Sequence, residues 1–183
     1  MQQDAPYNVK WSDNGQILVF DADTVMRLRR DHRLVGALEG CHPSNPHQNG
    51  YFGLPLILLP EETAYLLELN AIHNPPADHS LLWPKSARDH ILFELFKDLH
   101  SRGYYLTRGL KYGADYLLYP GEPMRYHSSH AVTLVDHGVS ITPRELITLG
   151  RLGTAVKKIR LLSSWNPDTS KFTHITMNWS AIG

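Results

Sequence analysis

The sequence predicts an α/β fold arranged as two units. Short apolar runs of strand length alternate with segments of helical period. A stretch rich in proline and asparagine, residues 70–86, interrupts them. The charge also changes sign along the chain: residues 1–83 carry five Lys/Arg against ten Asp/Glu, and residues 84–183 carry thirteen against eight. The halves are thus −5 and +5 in a chain of zero net charge. That asymmetry fits two modules, the second facing a polyanion, and chance scatter of surface charge explains it about equally well. The expected organisation is an N-terminal α/β domain over 1–70, a linker over 71–86 and a C-terminal domain over 87–183.

In the first unit, Ile17–Phe20 suits a buried strand. Asp21 and Asp23 offer N-caps for a helix through about Arg30. Leu34–Leu38 reads as a second strand and Cys41–Gly50 as a loop. The apolar run Leu54–Leu59 is interrupted by Pro55, which lacks an N–H, so an edge strand is expected. Pro60-Glu61-Glu62 begins a helix to about Leu69, with proline at the first position and acids facing the positive helix end.

In the second unit, Ala87, Ile91, Leu92, Leu95, Phe96 and Leu99 form one apolar stripe of helical spacing, ended by Gly103. Strands are expected at Tyr104–Thr107, Tyr116–Tyr119 and Ala131–Val135, with a turn at 108–113. Thr142 and Glu145 form a capping box around Pro143, opening a helix expected to end near Gly150. Val156–Leu162 reads as a basic-apolar strand. The last strand, Phe172–Trp179, alternates Ile175, Met177 and Trp179 on one face; burial in the chain's own sheet and extension by another chain are both open.

Composition excludes several classes. Hydrophobic residues make up 42% of 183, enough for a packed core. No apolar run approaches the roughly 20 residues of a membrane span. The first six residues lack a secretory pattern, and the single cysteine, Cys41, allows no internal disulfide, which fits an intracellular compartment. Eleven histidines invite a metal site. Yet there is no His-Glu-x-x-His, no cysteine pair, and His127 and His130 have no evident third ligand. A phosphate-binding Gly-rich loop and a nucleophile elbow are also missing.

The stretch from Leu110 to His127 is informative. Lys111-Tyr112-Gly113-Ala114-Asp115-Tyr116 leads to Tyr119-Pro120-Gly121-Glu122-Pro123 and then His127. It resembles the signature of the tRNA-splicing endonuclease catalytic subunits, Lys-Phe-Gly-x-Asp-Phe followed by Tyr-Pro-Gly-Asp-Pro and a histidine eight residues after the tyrosine. Gly150 to Lys158 is similar to the family's lysine segment. Phe52 to Glu62 resembles the N-terminal region of the eukaryotic subunit that cuts the 3′ splice site. The resemblance covers about 15–70 and 87–180. The departures are Glu122 for aspartate, Tyr112 and Tyr116 for phenylalanine, and a linker shorter than the family's middle segment.

This resemblance implies a C-terminal α/β nuclease domain with a central mixed sheet, restriction-endonuclease-like, and a catalytic triad of Tyr119, His127 and Lys158. RNA supplies its own nucleophile, the 2′-hydroxyl. Cleavage then needs a base, an acid for the leaving 5′-oxygen and a cation for the phosphorane; by resemblance these are Tyr119, His127 and Lys158. A free phenol is ionised in only about one molecule in a thousand at neutral pH, so the tyrosine role is demanding. Lys157 is expected on the opposite strand face from Lys158. For Arg125, Arg151 and Arg160, phosphate contact and ordinary surface charge are equally open. Taken singly, a strand tyrosine, a turn histidine and a surface lysine are usually structural; the matched spacing makes them a candidate site.

The implied function is cleavage of intron-containing pre-tRNA to 2′,3′-cyclic phosphate and 5′-hydroxyl ends, with no cofactor and no metal. The implied partners are a small non-catalytic subunit, as heterodimer, and a second catalytic and structural pair completing a heterotetramer, located in the nucleus and not on a membrane. A non-catalytic subunit of the same assembly is the alternative reading. A metal-dependent nuclease of similar fold is the third.

Overall fold

The computed structural model describes residues 7–39 and 53–178. The loop expected at Cys41–Gly50 and the end of the last expected strand, Trp179, lie outside them. The chain divides into two compact units, Met1–Asp98 and Leu99–Gly183.

The first unit holds four short strands, β1 (Lys10–Trp11), β2 (Ile17–Val19), β3 (Ala37–Leu38) and β4 (Leu56–Ile57), in an antiparallel sheet of order β1-β2-β4-β3. Helix α1 (Ala22–His32) starts where the sequence predicts, because the Asp21 carboxylate accepts from the Thr24 amide at 2.7 Å. The segment Leu54–Leu59 corrects the edge-strand expectation. β4 is interior, paired with β2 on one side and β3 on the other. The strand begins after Pro55, so the missing N–H leaves no gap in the ladder; the Pro55 carbonyl still accepts from Glu39. The expected strand from Leu34 shrinks to two residues because Gly36 turns with φ 59° and the preceding amides go elsewhere.

Those amides go to Glu62. Helix α2 (Pro60–Glu68) buries this carboxylate completely. Glu62 Oε1 accepts from Val35 (2.7 Å) and Gly36 (3.0 Å), and Oε2 from Leu59 (2.8 Å). Helix α3 (Ala87–Ser101) follows the apolar stripe. Its Phe96 ring meets Tyr65 edge-on, and Lys97 pairs with Glu68 at 3.1 Å, so residues 87–98 pack with the first unit.

The second unit is built on a five-stranded sheet, β5 (Tyr105–Arg108), β6 (Tyr116–Tyr119), β7 (His130–Val135), β8 (Ile159–Asn166) and β9 (Lys171–Met177), in sequential order. All neighbours are antiparallel except β7 and β8, which are parallel and joined through helix α4 (Pro143–Ala155). This is the expected mixed sheet.

Two boundaries differ from expectation. Helix α4 does not stop near Gly150 but runs to Ala155, and β8 starts only at Ile159. Gly150 and Gly153 are both buried inside the helix and neither stops it. A Cβ on Gly153 would stand 3.0 Å from the Lys158 carbonyl oxygen and 3.1 Å from Arg160 Cγ. The stop is made by Lys157, at φ 52°. Its amide donates to Thr154 (3.1 Å) and the Lys158 amide donates to Gly153 (2.9 Å), the paired bonds of a left-handed helix cap. In β9, Ile175 is 60% exposed, whereas Phe172 and His174 are half-buried and stack 5.8 Å apart.

Candidate active site

The three residues singled out by spacing lie at one end of β6, β7 and β8. Leu118 pairs with His130, and His130 with Ile159. The bonding continues past His130: the Ser129 amide donates to Leu118 at 2.8 Å, and the Ile159 amide donates to Ser129 at 3.1 Å. Tyr119 directly follows Leu118 and Lys158 directly precedes Ile159, so both stand at the end of the sheet where Ser129 is bonded to the segments on either side.

Tyr119 is 4% exposed and shares an apolar cluster with Leu117 and Ala131, against which Tyr105, Tyr112 and Ala114 pack. Lys158 is half-buried, and burial pushes its ammonium below the usual lysine range. The Nζ atom donates to the Ser128 carbonyl at 3.2 Å and lies 5.3 Å over the Tyr112 ring. The lysine is therefore a held charge and not a swinging one. It is tied to the residue immediately after His127, and that histidine is exposed to solvent.

Lys157 is separated from Lys158 by a different device from the one expected. It is not on a strand face; it is the exposed left-handed cap of α4, and this turn sends the next residue toward Ser128. Arg160 corrects both sequence readings of it. It is 0% exposed, and its guanidinium donates to the carbonyls of Gly113 (3.0 Å) and Tyr112 (2.9 Å). It is thus neither a surface charge nor placed to touch phosphate; it clamps the short 3-10 turn Leu110–Tyr112 that presents the Tyr112 ring. Gly113 closes that turn at φ 60°, where a Cβ would come within 2.8 Å of Leu152. Arg125 and Arg151 are exposed. Sequence reasoning missed Tyr112 and Ser128 as supports of the lysine. The neighbourhood of Tyr112 to the signature was a signal, but the Ser128 contact is made by a carbonyl, which any residue type supplies.

Among the described residues, no group of three or more His, Cys, Asp or Glu side chains stands together to hold a metal ion. No helix among them is long and apolar enough to cross a membrane.

A mixed α/β unit built on this five-stranded sheet is the class that comparison with known proteins supports. Residues 91–173 match the tRNA intron endonuclease, catalytic C-terminal domain, and residues 8–75 match the TSEN34-like, N-terminal domain. The chain belongs to the tRNA intron endonuclease family. Within it, the chain is similar to proteins named tRNA-splicing endonuclease subunit Sen34. The mouse protein is 29% identical over 156 residues, covering 80% of this chain and 47% of the relative. The human protein is 33% identical over 102 residues, covering 55% and 33%. The probable Sen34 subunit of Schizosaccharomyces pombe is 24% identical over 273 residues, covering 93% and 96%. The chain thus spans about half or less of the mouse and human relatives it matches.

Proposed function

We propose that this chain is the catalytic subunit that cuts pre-tRNA at the 3′ intron boundary, by acid–base chemistry without metal. The substrate's 2′-oxygen attacks the phosphorus while its proton passes to the oxygen of Tyr119, a step that requires the phenolate form. The P–O5′ bond breaks, and His127 protonates the departing 5′-oxygen. Lys158 faces the extra negative charge of the phosphorane. The products are a 2′,3′-cyclic phosphate and a 5′-hydroxyl. One observation carries this reading: the Lys158 ammonium is anchored on the carbonyl of Ser128, next to His127, at the sheet end that also holds Tyr119. A charge fixed before the reaction costs no reorganisation when the phosphorane forms.

Residues 87–183 carry the catalysis in this proposal, 1–70 form the accompanying domain and 71–86 link them. The chain works as a heterodimer with a small non-catalytic subunit, inside a heterotetramer in the nucleus, because a splice junction must be held at a fixed distance from the folded tRNA. The rival, a non-catalytic subunit, is disfavoured because all three candidate residues are present.

The test is cleavage of intron-containing pre-tRNA by the assembled complex in excess chelator. Persistence of cutting is expected, together with cyclic phosphate ends. Loss of cutting in chelator sinks the metal-free mechanism, and normal cutting by His127→Ala sinks the site.

A further inference from the structure

Between β6 and β7 the chain presents four consecutive exposed residues, Met124, Arg125, Tyr126 and His127, flanked by buried Pro123 and Ser128. Met124 is 40% exposed and Tyr126 52%. This projection is braced. The Glu122 carbonyl accepts from the amides of both Arg125 (2.8 Å) and Tyr126 (3.1 Å). The Tyr126 ring rests against Gly121, where a Cβ would come within 2.6 Å of Cε2 and 2.7 Å of Cδ2. Glycine is therefore what lets the ring settle there. At the far end, the Ser128 carbonyl is held by Lys158 Nζ. An aromatic ring and a guanidinium are thus displayed on an anchored turn beside the candidate acid.

We propose that Tyr126 stacks on an unpaired base next to the scissile phosphate, while Arg125 takes a neighbouring backbone phosphate. The proposal rests on the reading of His127 as the proton donor at that phosphate. In-line attack needs the 2′-oxygen, the phosphorus and the 5′-oxygen near one line, and a regular stacked helix holds them away from it. The nucleotides flanking the cut must leave the stack, which exposes their faces. An aromatic ring covers such a face whatever the base, so Tyr126 fixes the strand's position without reading its sequence. A guanidinium one residue away matches the charge of the adjoining backbone.

The experiment separates stacking from chemistry. A pre-tRNA with a 2′-deoxynucleotide at the cleaved position has no nucleophile. Placing 2-aminopurine at the unpaired positions flanking the junction reports stacking by fluorescence quenching. The full chain in its assembled complex is compared with Tyr126→Phe, Tyr126→Leu and Tyr126→Ala. Quenching is expected for the wild type and Tyr126→Phe. The leucine and alanine variants lose it and bind about 5- to 100-fold more weakly. Arg125→Gln lowers the salt dependence of binding by about one phosphate contact. Unchanged quenching and affinity in Tyr126→Leu overturns the proposal. So does a Tyr126→Leu chain that folds alone but no longer assembles, because a protein partner then covers the ring. The deoxy substrate cannot react, so failure of the acid assignment (normal cutting by His127→Ala) leaves the quenching result standing.

Discussion

The Lys158 ammonium sits 5.3 Å over the Tyr112 ring while it donates to Ser128 at 3.2 Å. The ring offers its negative face to a cation that burial has partly stripped of water, a contact worth about 0.5–2 kcal/mol. That interaction aims the charge and needs no hydroxyl. Tyr112→Phe is therefore expected to cut pre-tRNA at the wild-type rate, whereas Tyr112→Leu slows single-turnover cleavage about 3- to 30-fold with little change in RNA affinity. Circular dichroism and denaturant melts establish that both variants are folded at the assay temperature. Full-rate cutting by Tyr112→Leu refutes the positioning role.

Arg160 stands one layer beneath. Its two bonds to the Tyr112 and Gly113 carbonyls are charge-assisted and partly buried, and the arginine itself is fully buried. Arg160→Met removes both donors while keeping an apolar stem, and leaves two carbonyls without these partners. A loss of about 2–4 kcal/mol in unfolding free energy is expected. Arg160→Lys retains the charge but cannot span both carbonyls in the geometry of a fork, so it is expected to fall between the two. Urea unfolding of the three proteins checks the order. Equal stability of the lysine variant and the wild type would show that the charge, and not the fork, is what the turn requires.

Much of this second unit was legible in the sequence because its signals are local. Tyr116–Tyr119 is a run of strand formers bounded by breakers, and it is a strand. Thr142 and Glu145 form the capping box that their spacing predicts, with the Thr142 amide donating to Glu145 at 2.7 Å. The failures share a different cause. Gly150 reads as a helix stop only when nothing approaches it. Here Gly150 is buried inside the helix, and three residues on, Gly153 is pressed by the Lys158 carbonyl and Arg160, so the close packing there calls for a glycine that does not end the helix. Pro55 suggests an edge only if it lies within the strand, and it lies just before one. Arg160 read equally as a phosphate contact or a surface charge because cations usually face solvent; its carbonyl partners lie 47 and 48 residues away in sequence. What was hidden in each case was a packing partner, a few residues away for Gly153 and tens of residues away for the strand after Pro55 and for Arg160. The candidate triad was legible through its spacing, while the contact that holds Lys158 runs to a backbone oxygen and leaves no mark on side-chain identity.

Lys157 offers a test that separates the adjacent lysines. It occupies the left-handed region at φ 52° and caps α4. A residue with a Cβ costs about 1–2 kcal/mol in that conformation, and glycine removes the cost while adding some unfolded-state entropy. Lys157→Gly is expected to raise stability by about 0.5–1 kcal/mol and to leave cleavage unchanged, whereas Lys157→Val lowers stability. Lys158→Gly abolishes cleavage in the same assay. If Lys157→Gly cuts poorly despite a higher melting temperature, the catalytic assignment between the two lysines is wrong.

Glu62 sets a pH dependence in the first unit. Complete burial pushes its carboxyl up to about 7, against the opposing pull of the Leu59, Gly36 and Val35 amides. The folded pKa thus exceeds the ordinary value of 4.5. Between these values the native chain keeps a proton that the unfolded chain has released, so stability falls as pH rises. The contribution is complete below about pH 4.5 and is lost as pH passes 7, with a total of about 3 kcal/mol at most. Glu62→Gln cannot ionise, and its unfolding free energy should lack this component between pH 5 and 7.5. The glutamine also turns an amide NH2 toward one of the backbone donors that Glu62 satisfies, so the variant is expected to be less stable than wild type at pH 5 by about 1–3 kcal/mol. The two stability curves should therefore converge with rising pH. Parallel curves would mean that the three backbone amides, and not burial, govern the carboxyl, and that Glu62 is charged in the folded protein throughout this range.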